Sequence, residues 1–212
     1  MTSVTTALPG EPAPIPVDAA RWKSLVPLGM WPHGFASSGL VWRRDVFAVA
    51  ERWRAGQIPA THLAVAALAW GYGIRGYGPY RTARILRHER AARHLDEALT
   101  GLRTTPEAAV EGYRAFLTTA KLPGLGPAFF TKILYFAGYR RGQGEVQPLI
   151  LDSVVASRLP EEAGAARRYS WGWRAGTWRD YLVWAAEQAG RAEFAGEPDQ
   201  VEMALFTGTW TA

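Results

Sequence analysis

Cysteine is absent from the chain. That excludes disulfides, thiolate zinc sites, a cysteine nucleophile and a cysteine-held iron–sulfur cluster. Lysine is nearly absent too. Only Lys23, Lys121 and Lys132 occur, so arginine supplies most of the 24 basic residues. Set against 19 acidic residues, these leave a net charge of +5 and a pI near 9.7. Such a balance favours a polyanionic partner, although an arginine bias also fits a GC-rich genome. No run of about eighteen apolar residues is present, so no membrane span is expected. The N-terminus lacks a basic segment followed by an apolar one, so a cytoplasmic protein is expected. Sustained apolar/polar alternation is missing, which argues against a sizeable sheet. The four histidines, His33, His62, His88 and His94, show no metal-ligand spacing, and no metal site is expected.

The chain has 212 residues, 48% of them hydrophobic. This is enough for one large domain or two small lobes with a real core. Residues 1–20 are rich in Pro, Thr and Ala and read as a flexible N-terminal arm. The domain then runs over 21–212, opening with an irregular, aromatic-anchored coil to Leu40. Helical periodicity predicts helices over 44–55, 59–72, 80–89, 90–100 and 106–120, the last opened by Thr105 and Pro106. Further helices are predicted over 152–158, from about Trp178 to Ala189, and over 199–206. Between them, GYGIRGYGPYR (71–81) makes a poor core element and a good loop. The fold class is therefore all-α.

The densest signal lies between Lys121 and Ser153. Leu122-Pro123-Gly124-Leu125-Gly126 cannot continue a helix, since Pro123 lacks a donor and the glycines permit positive φ. Pro127 suits the first turn of a new helix. Phe129, Phe130, Ile133, Leu134 and Phe136 give that helix a broad apolar face. The hairpin at 122–126 thus aims backbone N–H groups outward at a helix N-terminus, an arrangement suited to a phosphate. An apolar run, Leu149-Ile150-Leu151, then closes on Asp152.

Hairpin, helix and terminal carboxylate together resemble the helix-hairpin-helix DNA glycosylase superfamily, and within it the bacterial 8-oxoguanine DNA glycosylase fold proteins. The C-terminal Glu202-Met203-Ala204-Leu205-Phe206 resembles the last helix of the 8-oxoguanine branch, where an aromatic stacks on the extruded base. The resemblance covers 122–152 and 199–206. It implies a two-lobed helical fold and a monomer bound to double-stranded DNA in the nucleoid. The implied activity is excision of a damaged or modified base, with lyase activity as an addition. No cofactor is implied beyond a monovalent cation on the hairpin carbonyls. Modified bases of phage DNA in anti-phage defence are an alternative substrate, and a non-catalytic DNA-binding module is an alternative role.

The candidate catalytic residues are Asp152 and Lys132. Breaking an N-glycosidic bond builds positive charge on the sugar, which a nearby carboxylate stabilises. Asp152 can equally serve as the cap of the following helix. The resemblance places a nucleophilic lysine two residues past the second hairpin glycine, where Ala128 stands here. Lys132, one turn further on, reads as a displaced nucleophile, a base-reading donor or a solvated surface lysine. Phe206 and Glu202, one turn apart, are the candidate base pocket. A carboxylate there would accept from the N–H groups of a guanine or cytosine edge; the plainer reading is a core Phe206 and a surface Glu202. Gly124, Gly126, Arg140 and Arg141 are the candidate DNA contacts, with Arg167 and Arg168 as weaker ones. Trp70, Tyr72, Tyr77 and Tyr80 can wall the pocket, wedge into the duplex or sit in the core.

Overall fold

The computed structural model describes residues 10–143, 146–168 and 172–210, with the side chains of 165–168 excepted. Among the described residues, ten α-helices run in the order α1 (Ala19–Leu25), α2 (Arg43–Arg54), α3 (Ala60–Tyr72), α4 (Gly78–Leu86), α5 (Ala91–Leu99), α6 (Ala109–Leu117), α7 (Pro127–Gly138), α8 (Ser153–Arg158), α9 (Ala175–Ala189) and α10 (Pro198–Thr207). The only sheet among the described residues pairs β1 (Ile15–Pro16) with β2 (Leu40–Val41), antiparallel. The fold is all-α, as the periodicity predicts.

The most apolar helices lie deepest. In α3 the buried set runs almost unbroken from Ala60 to Trp70, and in α7 from Phe130 to Gly138. A helix apolar all round must be covered on every side. Here α3 packs against α2, α5 and α7, while α7 also meets α6. Of the C-terminal helices, α10 packs on both α8 and α9, and α9 returns to α6. The two groups of helices share one continuous core, from Val17 to Leu205.

Three local expectations change. The helix expected over 106–120 opens as a 3₁₀ turn over Pro106–Ala108 and becomes α-helical only from Ala109, ending at Leu117. The coil expected before Leu40 contains α1, whose N-terminus is capped by the Asp18 carboxylate accepting from Arg21 N at 3.0 Å. The arm expected over 1–20 is docked in its described part. Glu11 accepts from the backbone N and Nη1 of Arg44 at 3.1 and 2.6 Å, Ile15 pairs with Val41, and Val17 is buried. Residues 1–9 of that arm lie outside the described residues.

Candidate active site

The hairpin forms as its residues require. Leu125 N donates to Leu122 O at 3.1 Å, closing a turn in which Gly124 takes φ +86°. That is a left-handed backbone conformation which side-chain-bearing residues rarely adopt. Gly126 is the N-cap of α7, and Pro127 occupies its first turn. Gly124 is exposed and Gly126 half-buried.

Two residue pairs tie α7 to the apolar run that follows it. Thr131 Oγ1 accepts from Leu151 N at 3.2 Å. On the next residue of each element, Lys132 Nζ donates to Asp152 Oδ2 at 2.8 Å. The run itself is fixed from behind by α9. Trp178 Nε1 donates to Leu149 O at 3.0 Å and Tyr181 OH to Ile150 O at 3.3 Å. Asp152 therefore arrives at α7 on a rigid rail.

Its two oxygens do two jobs. Oδ1 accepts from Val154 N and Val155 N at 3.0 and 3.2 Å and so caps α8, while Oδ2 holds Lys132. The helix cap and the charged partner thus coexist on one carboxylate. Burial pushes the Asp152 carboxyl up, but the Lys132 charge and hydrogen bond, with the two amides, outweigh it and hold it below the usual aspartate range.

Lys132 is not a solvated surface lysine, for its side chain is 8% exposed. The stem crosses α3 at Gly71, where a Cβ would stand 2.7 Å from Lys132 Cδ. A helical side chain leans toward the N-terminus of its helix. Accordingly Nζ also donates to Ala128 O at 2.9 Å, one turn back. The amine thus sits beside Ala128, the position where the resemblance expects a lysine. It also lies 5.7 Å from the Phe129 ring centroid.

Around this pair opens a cleft of about 230 Å³. Phe129, Trp70 and Phe206 supply aromatic wall, and Pro12, Ala13 and Ile15 close one side. Phe206 is half-buried and packed on the core edge, with a face on the cleft. Glu202 borders the floor but is neither an open acceptor nor a surface acid. It is fully buried and takes Arg43 Nη1 and Nη2 at 2.5 and 3.1 Å. Burial raises the Glu202 pKa and Arg43 opposes the rise. Arg43 also lies 5.0 Å from the Trp70 ring and 5.3 Å from that of Tyr135.

Arg140 and Arg141 do not join the hairpin. They follow the C-terminus of α7, about 18 Å of helix from Gly126 at 1.5 Å per residue. Arg140 donates to the carbonyls of Gly138, Leu102 and Arg103, and Arg141 pairs with Asp199 at 2.6 Å. The side chains of Arg167 and Arg168 lie outside the described residues. Of the loop aromatics, Trp70 and Tyr72 are buried, while Tyr77 and Tyr80 are exposed.

The family model described as "Putative 8-oxoguanine DNA glycosylase OGG-like protein" matches residues 10–206. The chain belongs to this family. No curated protein and no solved structure matches it. The OGG-like match includes the hairpin, Lys132, Asp152 and Glu202, and its last residue is Phe206. Nothing in the sequence marks Gly71 or Arg43 as part of the site. Gly71 sits in a glycine-rich loop signal that hides its packing role. Arg43 finds its partner 159 residues away, with no local cue.

Proposed function

We propose that the protein is a DNA glycosylase that flips a damaged or modified base, of the 8-oxoguanine type, into the cleft beside Lys132 and Asp152. The supporting observation is the ammonium–carboxylate pair at 2.8 Å, walled by aromatic rings and opening onto a cleft. A buried ion pair is weak as a stabilising device. Its place at the edge of a cavity favours a chemical role.

Phe206 stacks on the extruded base. The hairpin amides of Gly124 and Gly126 hold a backbone phosphate, which fixes the sugar relative to the pair. As the glycosidic bond breaks, the base leaves with the bonding electrons and C1′ becomes cationic. Asp152, kept ionised by Lys132 and two amides, stabilises that charge. Either water or the Lys132 amine then adds to C1′. The resting lysine is paired as an ammonium, so it becomes a nucleophile only after giving up a proton, and Asp152 is the acceptor within reach. Addition by the amine forms a C1′–N bond. Breaking the C1′–O4′ bond, with the second amine proton passing to O4′, opens the sugar to a Schiff base. Loss of a C2′ proton then expels the 3′ phosphate and nicks the strand. Phage-modified bases remain an alternative substrate class for the same cleft.

The test is mass spectrometry of bases freed from duplexes carrying 8-oxoguanine or phage-derived modified bases, combined with borohydride trapping. Wild type is expected to release the base, and Asp152→Asn to lose at least about 100-fold, the scale of one transition-state electrostatic contact. An adduct lost in Lys132→Gln identifies the lyase route. Base release without an adduct identifies the water route. Duplex binding with neither release nor adduct would leave a DNA-binding module and overturn the proposal.

A further inference from the structure

A second cleft, of about 420 Å³, lies at the other end of α7. One face of α2 supplies Arg44, Phe47, Glu51 and Arg54, spaced for a single helical stripe, and the chain just after α7 supplies Arg140 and Arg141. Four arginines therefore meet one lining glutamate.

Two of the four carry no compensating carboxylate. Arg54 Nη1 donates to Phe136 O and Ala137 O at 3.3 and 3.1 Å. Arg140 donates to Gly138 O at 3.0 Å and to Leu102 O at 2.6 Å. These are neutral carbonyls, three of them in the last turn of α7, whose dipole accounts for part of the positive charge. Neither guanidinium makes an ion pair among the described residues. Burial and the neighbouring Arg140 charge lower the Arg54 pKa, and burial lowers that of Arg140. Glu51 and Glu107 act on them only from beyond contact. The other two are paired. Arg44 holds Glu11 at 2.6 Å, and Arg141 holds Asp199 at 2.6 Å.

A guanidinium has five donors. Arg54 has only its Nη1 engaged among the described residues, which leaves Nε and Nη2. Like charges in a part-buried cleft repel unless an anion joins them. Arginine forks match the oxygens of a phosphate.

We propose that this cleft is an anion site for a phosphate-bearing small ligand, separate from the base cleft. Inorganic pyrophosphate and nucleoside phosphates share the chemistry it recognises. The half-buried Phe47 ring beside the arginines offers a face to a base in the second case only. The site is independent of the proposed glycosylase activity, since neither Lys132 nor Asp152 lines it.

Calorimetric titration of the full chain with pyrophosphate, and separately with AMP, at low salt tests the site. Saturable one-to-one binding is expected. Arg54→Gln keeps amide donors for the α7 carbonyls and should weaken it about tenfold or more, the loss of one charge-assisted contact. Arg54→Lys should recover most of the affinity, and Lys132→Gln should leave it unchanged. If Arg54→Gln fails to fold, Arg140→Gln, at the second guanidinium without a carboxylate partner, carries the same expectation. Tighter binding of AMP than of pyrophosphate marks a nucleotide ligand; the reverse marks a free phosphate compound. No saturable binding by wild type, or binding that survives the arginine substitutions or disappears in Lys132→Gln, would overturn the proposal.

Discussion

At the scale of single residues, the placement of one amine depends on a neighbour with no side chain. Gly71 lies within α3 and does not adopt a positive φ, so its role is space. Alanine is intrinsically better in a helix, by about 1 kcal/mol. Gly71→Ala is therefore expected to leave the melting temperature within a few degrees of wild type. Its methyl would displace the Lys132 stem, and base release or Schiff-base trapping should fall about tenfold or more, as for other displacements near 1 Å. A variant with full activity would place the working lysine elsewhere. The Asp152 carboxyl sets a pH limit as well. Its folded pKa is depressed, so its contribution to stability is present above about 3.9, the unfolded value, and is lost as the pH falls through the folded one. The gap in melting temperature between wild type and Asp152→Asn should be constant from neutral pH to about 5 and shrink below 4. A gap that stays at its neutral-pH size as the pH falls below 4 would assign the loss to something other than the charge.

Among the elements, crossings matter more than propensities. Where α5 and α6 meet, a Cβ on Gly112 would come 2.4 Å from Ala98 O, a backbone atom that cannot step aside. Gly112→Ala is expected to cost about 1–3 kcal/mol by overpacking, read as a lowered denaturation midpoint with an unchanged slope. This contrasts with Gly71→Ala, where the obstacle is a flexible stem. The elements themselves were largely legible. Apolar spacing marks α2, α3, α7, α9 and α10 to within a few residues, because each hides a broad face. The hairpin was legible too, since Pro and Gly leave few backbone options. What escaped is non-local. α1 is a seven-residue helix anchored by one buried tryptophan, Trp22, among prolines and glycines that read as coil. The docking of residues 11–17 depends on Arg44 and Val41, about thirty residues away in sequence. Asp152 was legible as a candidate because an acid directly after three buried aliphatics is costly unless paired. Nothing local reveals that Glu202 is occupied by Arg43.

Over the whole molecule, the Arg43–Glu202 pair joins α2 to α10 and so closes the fold across 159 residues. Arg43 is buried and also donates to Tyr135 OH at 3.4 Å, which in turn donates to Asp199 at 3.1 Å. Removing one member leaves a buried charge without a partner. Arg43→Met is expected to cost about 3–5 kcal/mol, and the double variant Arg43→Met/Glu202→Leu to recover most of it. Chemical denaturation of the four proteins of the cycle gives the coupling directly; a double variant no better than the single one would show that the arginine acts through packing alone. The enclosure of Lys132 has a different kind of consequence. With three lysines in the chain, reductive methylation with ¹³C-formaldehyde labels at most three side-chain amines besides the α-amine, and the walled-in one reacts last. A sparse spectrum of that sort lets a single resonance report when an incoming base or sugar parts the amine from its carboxylate, without any engineered tag.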